Sequence, residues 1–238
     1  MKNSSIFLVL LLFLLSCKKS APVAPVEEEP VFADKNFNRI RVPDGGQIQA
    51  VAGDISDTLL VTTLYNTYLI TNNGKTFTLT TKHLNNTSGL FVSKDTIYAL
   101  SGSAYDAKFE KQYASLPSYY TVDKGLTWKP AYDRVGLYMM TGIVTTKNND
   151  TIQLNYHTGP DKNGRGNSYV LKTTISKTSN GFTRSFDHPI KDEQPSNLYI
   201  DKEGRLYITT GGYFNAAGVY ISSSIKSPAY LYISKLPV

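Results

Sequence analysis

The chain has 238 residues, a net charge of +6, 12% aromatic residues and one cysteine. A single cysteine excludes a disulfide framework, and so mild a charge without a basic run excludes a nucleic-acid surface. Past the N-terminus no apolar run is long enough for a helical membrane span.

The chain begins with Lys2 and then the apolar run from Ile6 to Leu15. That run is far shorter than the ~20 residues a bilayer requires, so residues 1–16 read as a secretory signal peptide. Leu14-Leu15-Ser16-Cys17 resembles the lipobox of bacterial lipoproteins. The resemblance implies cleavage before Cys17, acylation (palmitate) of that cysteine, and membrane lipid as its partner. More than one acyl chain gives stable attachment, where one is marginal. Lys18 and Lys19 follow in place of an aspartate, which by the same resemblance implies the outer membrane, with the domain facing either the periplasm or the exterior. Residues 17–35 form a tether in which Pro and Glu, dense from Ser20 to Val31, favour an extended chain.

Residues 36–238 carry abundant Tyr, Thr and Ser and no long amphipathic helical period, as expected for one all-β domain. At its centre stands Thr121-Val122-Asp123-Lys124-Gly125-Leu126-Thr127-Trp128. There Asp123 is placed to accept from turn amides, Gly125 supplies a positive φ, and Thr127 and Trp128 open the next strand. The motif resembles the Asp-box (BNR) repeat of sialidase-like β-propellers. A second copy carries Asn72, Gly74 and Phe77, and a more degraded third centres on Gly181. The three glycines lie about 50 residues apart, the scale of one propeller blade. A short turn and strand precede each copy, at Asp57-Thr58, Asp95-Thr96 and Asp150-Thr151, with a fourth at Asp201 to Ile208.

These two features in constant order predict a small β-propeller of about four blades, each a four-stranded antiparallel meander (strands a to d). Blade one is expected over about Gly46–Asn86, blade two over Gly89–Gly136, blade three over Thr141–Asp192, and blade four from Asn197. The segment Phe37–Pro43 occupies a d-strand position and is expected to close the ring by completing blade four. Gly218–Ser222 and Ala229–Ile233 compete for that role. A β-sandwich or an open stack of sheets is the alternative architecture.

In such a meander the a–b and c–d turns share one end, and the b–c and d–a connections share the other. The b–c connections are expected to expand into loops at about Ser101–Pro117, Tyr156–Asn167 and Thr210–Ala217. They bring Tyr105, Phe109, Tyr113, Tyr156, His157, Arg165, Tyr213 and Phe214 to a candidate binding face. The sialidase resemblance implies an arginine cluster, but only Arg134 and Arg165 of six arginines fall at that end. No catalytic residue, metal site or cofactor is assigned: His83, His157 and His188 are scattered, and Asp161–Asn167 lacks the closing carboxylate of a calcium loop. The expectation is a membrane-anchored, non-catalytic binding module for a cell-envelope protein partner. Envelope or extracellular glycan binding is the alternative, and a sialidase-like glycoside hydrolase the second alternative.

Overall fold

The computed structural model describes residues 32–43, 46–80, 84, 86–106, 111–133, 136–160, 168–224 and 229–238. Cys17, the signal peptide, the tether up to Val31, His83, Phe109, Arg134 and Arg165 lie outside the described residues. Phe32–Val238 is one compact unit. It starts four residues ahead of the expected boundary at 36, because Phe32 packs edge-on against Tyr232, 5.5 Å between ring centroids.

Four antiparallel sheets form a four-bladed β-propeller, with no helix among the described residues. Blade one contains β2 (Ile48–Gly53), β3 (Leu59–Thr63), β4 (Thr67–Thr71) and β5 (Thr76–Leu79) in sequential order. Blade two contains β6 (Gly89–Ser93), β7 (Thr96–Asp106) and β8 (Lys111–Thr121). Its fourth place is divided between β9 (Lys129–Pro130) and β10 (Tyr138–Thr141), which both pair with β8. Blade three runs β11 (Ile143–Thr145), β12 (Thr151–Pro160), β13 (Ser168–Ser179) and β14 (Phe182–Ser185). Blade four has β15 (Glu193–Ile200), β16 (Leu206–Phe214) and β18 (Ala229–Ser234), and its fourth strand is β1 (Phe37–Val42).

Closure is therefore made by the two chain ends. Phe37 faces Ser234 and Val42 faces Ala229, a six-residue antiparallel register that leaves β18 no open edge. The competing segment forms only β17 (Tyr220–Ile221), a short flap on the end of β16. β18 thus takes the c position and β1 the d position.

The expected b–c loops are mostly strand. β7 and β8 continue to Asp106 and from Lys111, while β12 reaches Pro160 and β16 reaches Phe214. The chain keeps pairing past the blade body because a register shift between Ala99 and Leu100 bends the β7–β8 hairpin instead of ending it. The repeat in the a–b turns also differs from expectation. Amides of Asp54, Thr146 and Asp201 donate to the carbonyls of Thr58, Asp150 and Arg205, so these three residues open equivalent turns. Asp201 matches Asp54, not Asp57.

Apolar packing seals three of the four seams. Val51, Leu59, Val61 and Ile70 of blade one meet Tyr207, Leu231 and Ile233 of blade four. The opposite face of blade one sets Ala50, Leu60 and Leu69 against Leu90 and Ala99 of blade two. Both faces of β3 are used, so Leu59-Leu60-Val61 is a continuous apolar run. Ile152, Leu154 and Ile175 of blade three meet Leu198, Leu206, Ile208 and Tyr232 of blade four. Each such side chain contributes about 1.5–3 kcal/mol on full burial. Among the described residues the seam between blades two and three has no comparable cluster. The face of blade three away from blade four is polar, with Thr151 opposite Thr178, Gln153 opposite Ser176 and Asn155 opposite Thr174.

Candidate functional site

The turn end is built for structure. Asp123 accepts from the Thr127 amide at 2.9 Å, Thr127 Oγ1 at 2.6 Å and Thr121 Oγ1 at 2.7 Å. Those bonds, from the Thr121 hydroxyl first and then from Thr127, hold the carboxyl at a pKa of about 2. Trp128 Nε1 donates to the Gly125 carbonyl at 3.0 Å and folds the indole over the turn. Gly125, at φ 96°, sits where a Cβ would lie 2.7 Å from Leu60 of blade one. Gly74 does the same against Ile40 of β1, at 2.6 Å, and Phe77 packs on that seam. Asn72 and Asn73 take positive φ beside it. A Cβ added at Gly181 would meet nothing within 4 Å among the described residues beyond its chain neighbours, and Phe182 next to it is 82% exposed. The first two turns key one blade into the previous one; the third does not, which accounts for its degraded sequence.

A polar network locks blade four to blade one at the same end. Arg205 Nε donates to Asp201 at 2.7 Å, its Nη1 to Ser56 at 2.7 Å, and its Nη2 to Asp54. The Tyr207 hydroxyl donates to Asp201 at 2.9 Å and accepts from the Ile55 amide at 3.1 Å. Burial opposes ionisation of Asp201, but bonds from the Arg205 amide, its guanidinium and Tyr207 outweigh it and leave the pKa lowered.

The opposite end holds the candidate site. The extended β7–β8 hairpin and β10 arch over the ring, and the pleat divides their side chains between two faces. Tyr105, Gln112 and Thr141 share the inner face with Ala114 and Met139, which close on Gly89 of β6. Across from them stand Gln153, Asn155, Tyr156 and His157 of β12, and the space between is a groove of about 570 Å³. It adjoins a second cavity of about 410 Å³ at the mouth of the ring, lined by Gln47, Gln49, Ser103, Tyr113, Ser196 and Asn197. Asn197 ties the inner strands together, accepting from the Gly142 amide at 2.8 Å and donating to the Gln49 carbonyl at 3.0 Å.

Tyr156 is 44% exposed as a residue, yet its hydroxyl is turned inward to donate to the Ser196 carbonyl at 3.1 Å. Burial of that end pushes its pKa up to about 12. His157 Nε2 lies 3.0 Å from Thr174 Oγ1. Gln49 Oε1 is buried at the mouth without a hydrogen-bond partner among the described residues. No Asp or Glu lines either cavity among the described residues. No group of three His, Cys, Asp or Glu side chains among them is placed to hold a metal.

The outer face of the same hairpin is apolar. Leu116 takes φ 58°, covers Gly102 and remains 68% exposed. Beside it lie Tyr138, 65% exposed, Met140, and Tyr113, whose ring stands edge-on to Tyr138 at 6.0 Å. Left-handed backbone is uncommon for a branched side chain and marks a position held by its surroundings.

Of the expected binding face, the structure brings Tyr105, Tyr156 and His157 together along the groove, while Tyr113 stands on the other face of the hairpin and reaches only the edge of the cavity at the mouth. Tyr213 and Phe214 stand apart at the end of β16, where Phe214 packs against Tyr220 at 5.5 Å. Their strand belongs to blade four, with β17 folded over it. Sequence reasoning missed Gln112, Gln153, Asn155, Leu116, Tyr138 and Met140. An alternation of Gln and Asn along β12 was the readable signal for part of this set, whereas Leu116 has none. The described arginines line neither cavity: Arg39 stacks between Phe32 and Tyr230 at 4.9 and 4.7 Å, and Arg205 is held in the ion network. No protein-family model matches the chain, and no curated protein matches it significantly.

Proposed function

We propose that this is an exported lipoprotein, anchored through acylated Cys17, whose propeller is a non-catalytic module for a cell-envelope protein partner. The observation that carries this reading is the outer face of the β7–β8 hairpin. Leu116, Tyr138, Met140 and Tyr113 form one apolar face on the hairpin arm. Aromatic and Met side chains are enriched in protein interfaces, and exposed apolar patches on folded domains mark them. The test is a crosslinking pull-down of the tagged lipoprotein from its native envelope, beside Cys17→Ala and Leu116→Ser/Tyr138→Ala. A stoichiometric protein lost from the hairpin variant supports the proposal. The same protein recovered equally with that variant removes it.

One observation favours glycan binding as a second reading. The groove inside the arm is lined by amides, hydroxyls and the exposed ring of Tyr105, and Gln49 Oε1 at its mouth has an open acceptor position. A polyhydroxylated ligand would supply a donor there and stack on Tyr105. Saturable binding on a glycan panel, abolished by Tyr105→Ala and Gln153→Ala but not by Leu116→Ser, distinguishes it from the protein reading.

A further inference from the structure

At the turn end, the seam between blades three and four opens into a cleft of about 530 Å³. Its floor is apolar, made by Phe37 and Phe186, which belong to the core row of that seam. Its rim is cationic. Arg184 rises from β14, Lys35 precedes β1 and Lys235 follows β18, against one acidic side chain among the lining residues, Asp187. Lys177 also lines the cleft but is neutralised by Asp150 at 2.9 Å. Asp34 is adjacent and keeps its negative charge: its carboxylate accepts from the amides of Asn36 and Phe37 at 2.8 Å, and its carbonyl accepts one of the protons of Lys235 Nζ at 2.7 Å.

Two large apolar side chains stand at the mouth. Phe182 lies on the same face of β14 as Arg184 and is 82% exposed; Leu236 is 73% exposed. Leu236 is not on a loose end. Ser234 Oγ donates to its carbonyl at 2.7 Å, and the Val238 amide donates to the Gly204 carbonyl at 3.0 Å. Val122 and Leu126, both more than half exposed, project from the Thr121–Trp128 turn at this end as well. Hydrophobic tips beside a cationic cleft are the chemistry of a surface that rests on lipid headgroups: the tips enter the headgroup boundary and the cations meet phosphate.

We propose that this end of the propeller lies on an anionic phospholipid bilayer, with a lipid phosphate seated among Arg184, Lys35 and Lys235, and with Phe182 and Leu236 inserted beside it. The hairpin arm and groove, at the other end of the blades, then face away from the membrane toward their ligand. The proposal does not depend on acylation of Cys17, so its failure would leave the anchor and the binding reading untouched.

The test uses residues 32–238, which contain all four sheets, the ring closure and every core cluster, and which lack the acyl anchor. Flotation with phosphatidylcholine vesicles containing about a quarter phosphatidylglycerol should recover the domain at low salt, and phosphatidylcholine alone should not. Lys35→Glu/Arg184→Glu should lower that partition about tenfold or more, since each reversed cation also repels the anionic surface. Phe182→Ser should lower it without changing its salt dependence. Lys191→Glu, a charge-matched change at the opposite end, should bind as the parent does, and thermal melts confirm that each variant is folded. Equal recovery with both vesicle types, or an unaltered partition for Lys35→Glu/Arg184→Glu, overturns the proposal. Competition by millimolar inorganic phosphate that abolishes recovery also overturns it, because the cleft would then be a small-anion pocket.

Discussion

Replacing Arg205 with Met tests the lock between blades four and one. The guanidinium is 16% exposed and bridges Asp201, whose side chain has no exposure, and Asp54, which has 9%. Methionine preserves much of the volume and removes the group that bridges the two carboxylates, leaving Asp54 only the exposed Lys202 ammonium at 3.7 Å among the described residues. Breaking a buried pair from one side costs about 3–5 kcal/mol, because the remaining charges lose their partner in a poorly hydrated site. Against a total of roughly 5–15 kcal/mol for a domain, that is a large fraction. In a domain of this size each kcal/mol shifts Tm by about 2–4 °C, so a fall of roughly 6–20 °C is expected. The pH dependence supplies the second readout. In the parent, Asp201 has a lowered pKa, so its stabilisation is present at neutral pH and lost only as pH falls below about 4 toward the folded value. Without the guanidinium, the residue-205 amide and the Tyr207 hydroxyl still hold the Asp201 carboxylate. Burial is then less fully opposed, so the pKa rises toward the unfolded value and the gap between parent and variant narrows on acidification. Urea denaturation followed by circular dichroism at pH 7 and about pH 3 measures both. A loss under about 1 kcal/mol at pH 7, or a gap independent of pH, refutes the reasoning.

Asp123→Ala removes an acceptor with three short donors and should destabilise the domain by about 1–3 kcal/mol, read as a shift in urea midpoint. The parent's share from Asp123 should persist down to about pH 4 and fade as pH approaches the folded pKa of about 2. Gly125→Ala and Gly181→Ala both force alanine into positive φ, worth about 1–2 kcal/mol, but only the former drives a methyl into Leu60. Gly125→Ala should therefore be the worse by a further ~1–3 kcal/mol, and equal melts would exclude the keying of blade two into blade one. Deleting residues up to Val42 should leave β18 with an open edge and yield an oligomeric or aggregated product in size-exclusion chromatography. A stable monomer from that truncation would mean that β1 is dispensable for closure.

The turns were legible because their chemistry is complete within eight residues. Asp123, Gly125, Thr127 and Trp128 make their principal bonds to one another, so the motif announces a hairpin wherever it stands. Its recurrence at blade spacing was enough to point to the architecture and the blade order, while more than one segment still competed to close the ring. The candidate site was only half legible. Tyr105 and Tyr156 line one groove because β7 and β12 belong to blades whose shared seam has no apolar cluster among the described residues, a property of two sheets that neither strand displays alone. The stretches expected as loops became a hairpin arm; pleating placed Tyr105 inside, and the positive φ at Leu116 turned that side chain out of the alternation to the other face. Tyr213 and Phe214 looked equivalent to them in sequence and are separated by one blade. Arg205 read as a turn residue, while its partner Asp54 lies 151 positions away. Local hydrogen bonding is written in contiguous residues, whereas the pairing of faces across a closed ring depends on which sheets become neighbours, and that was decided only when the two ends of the chain met.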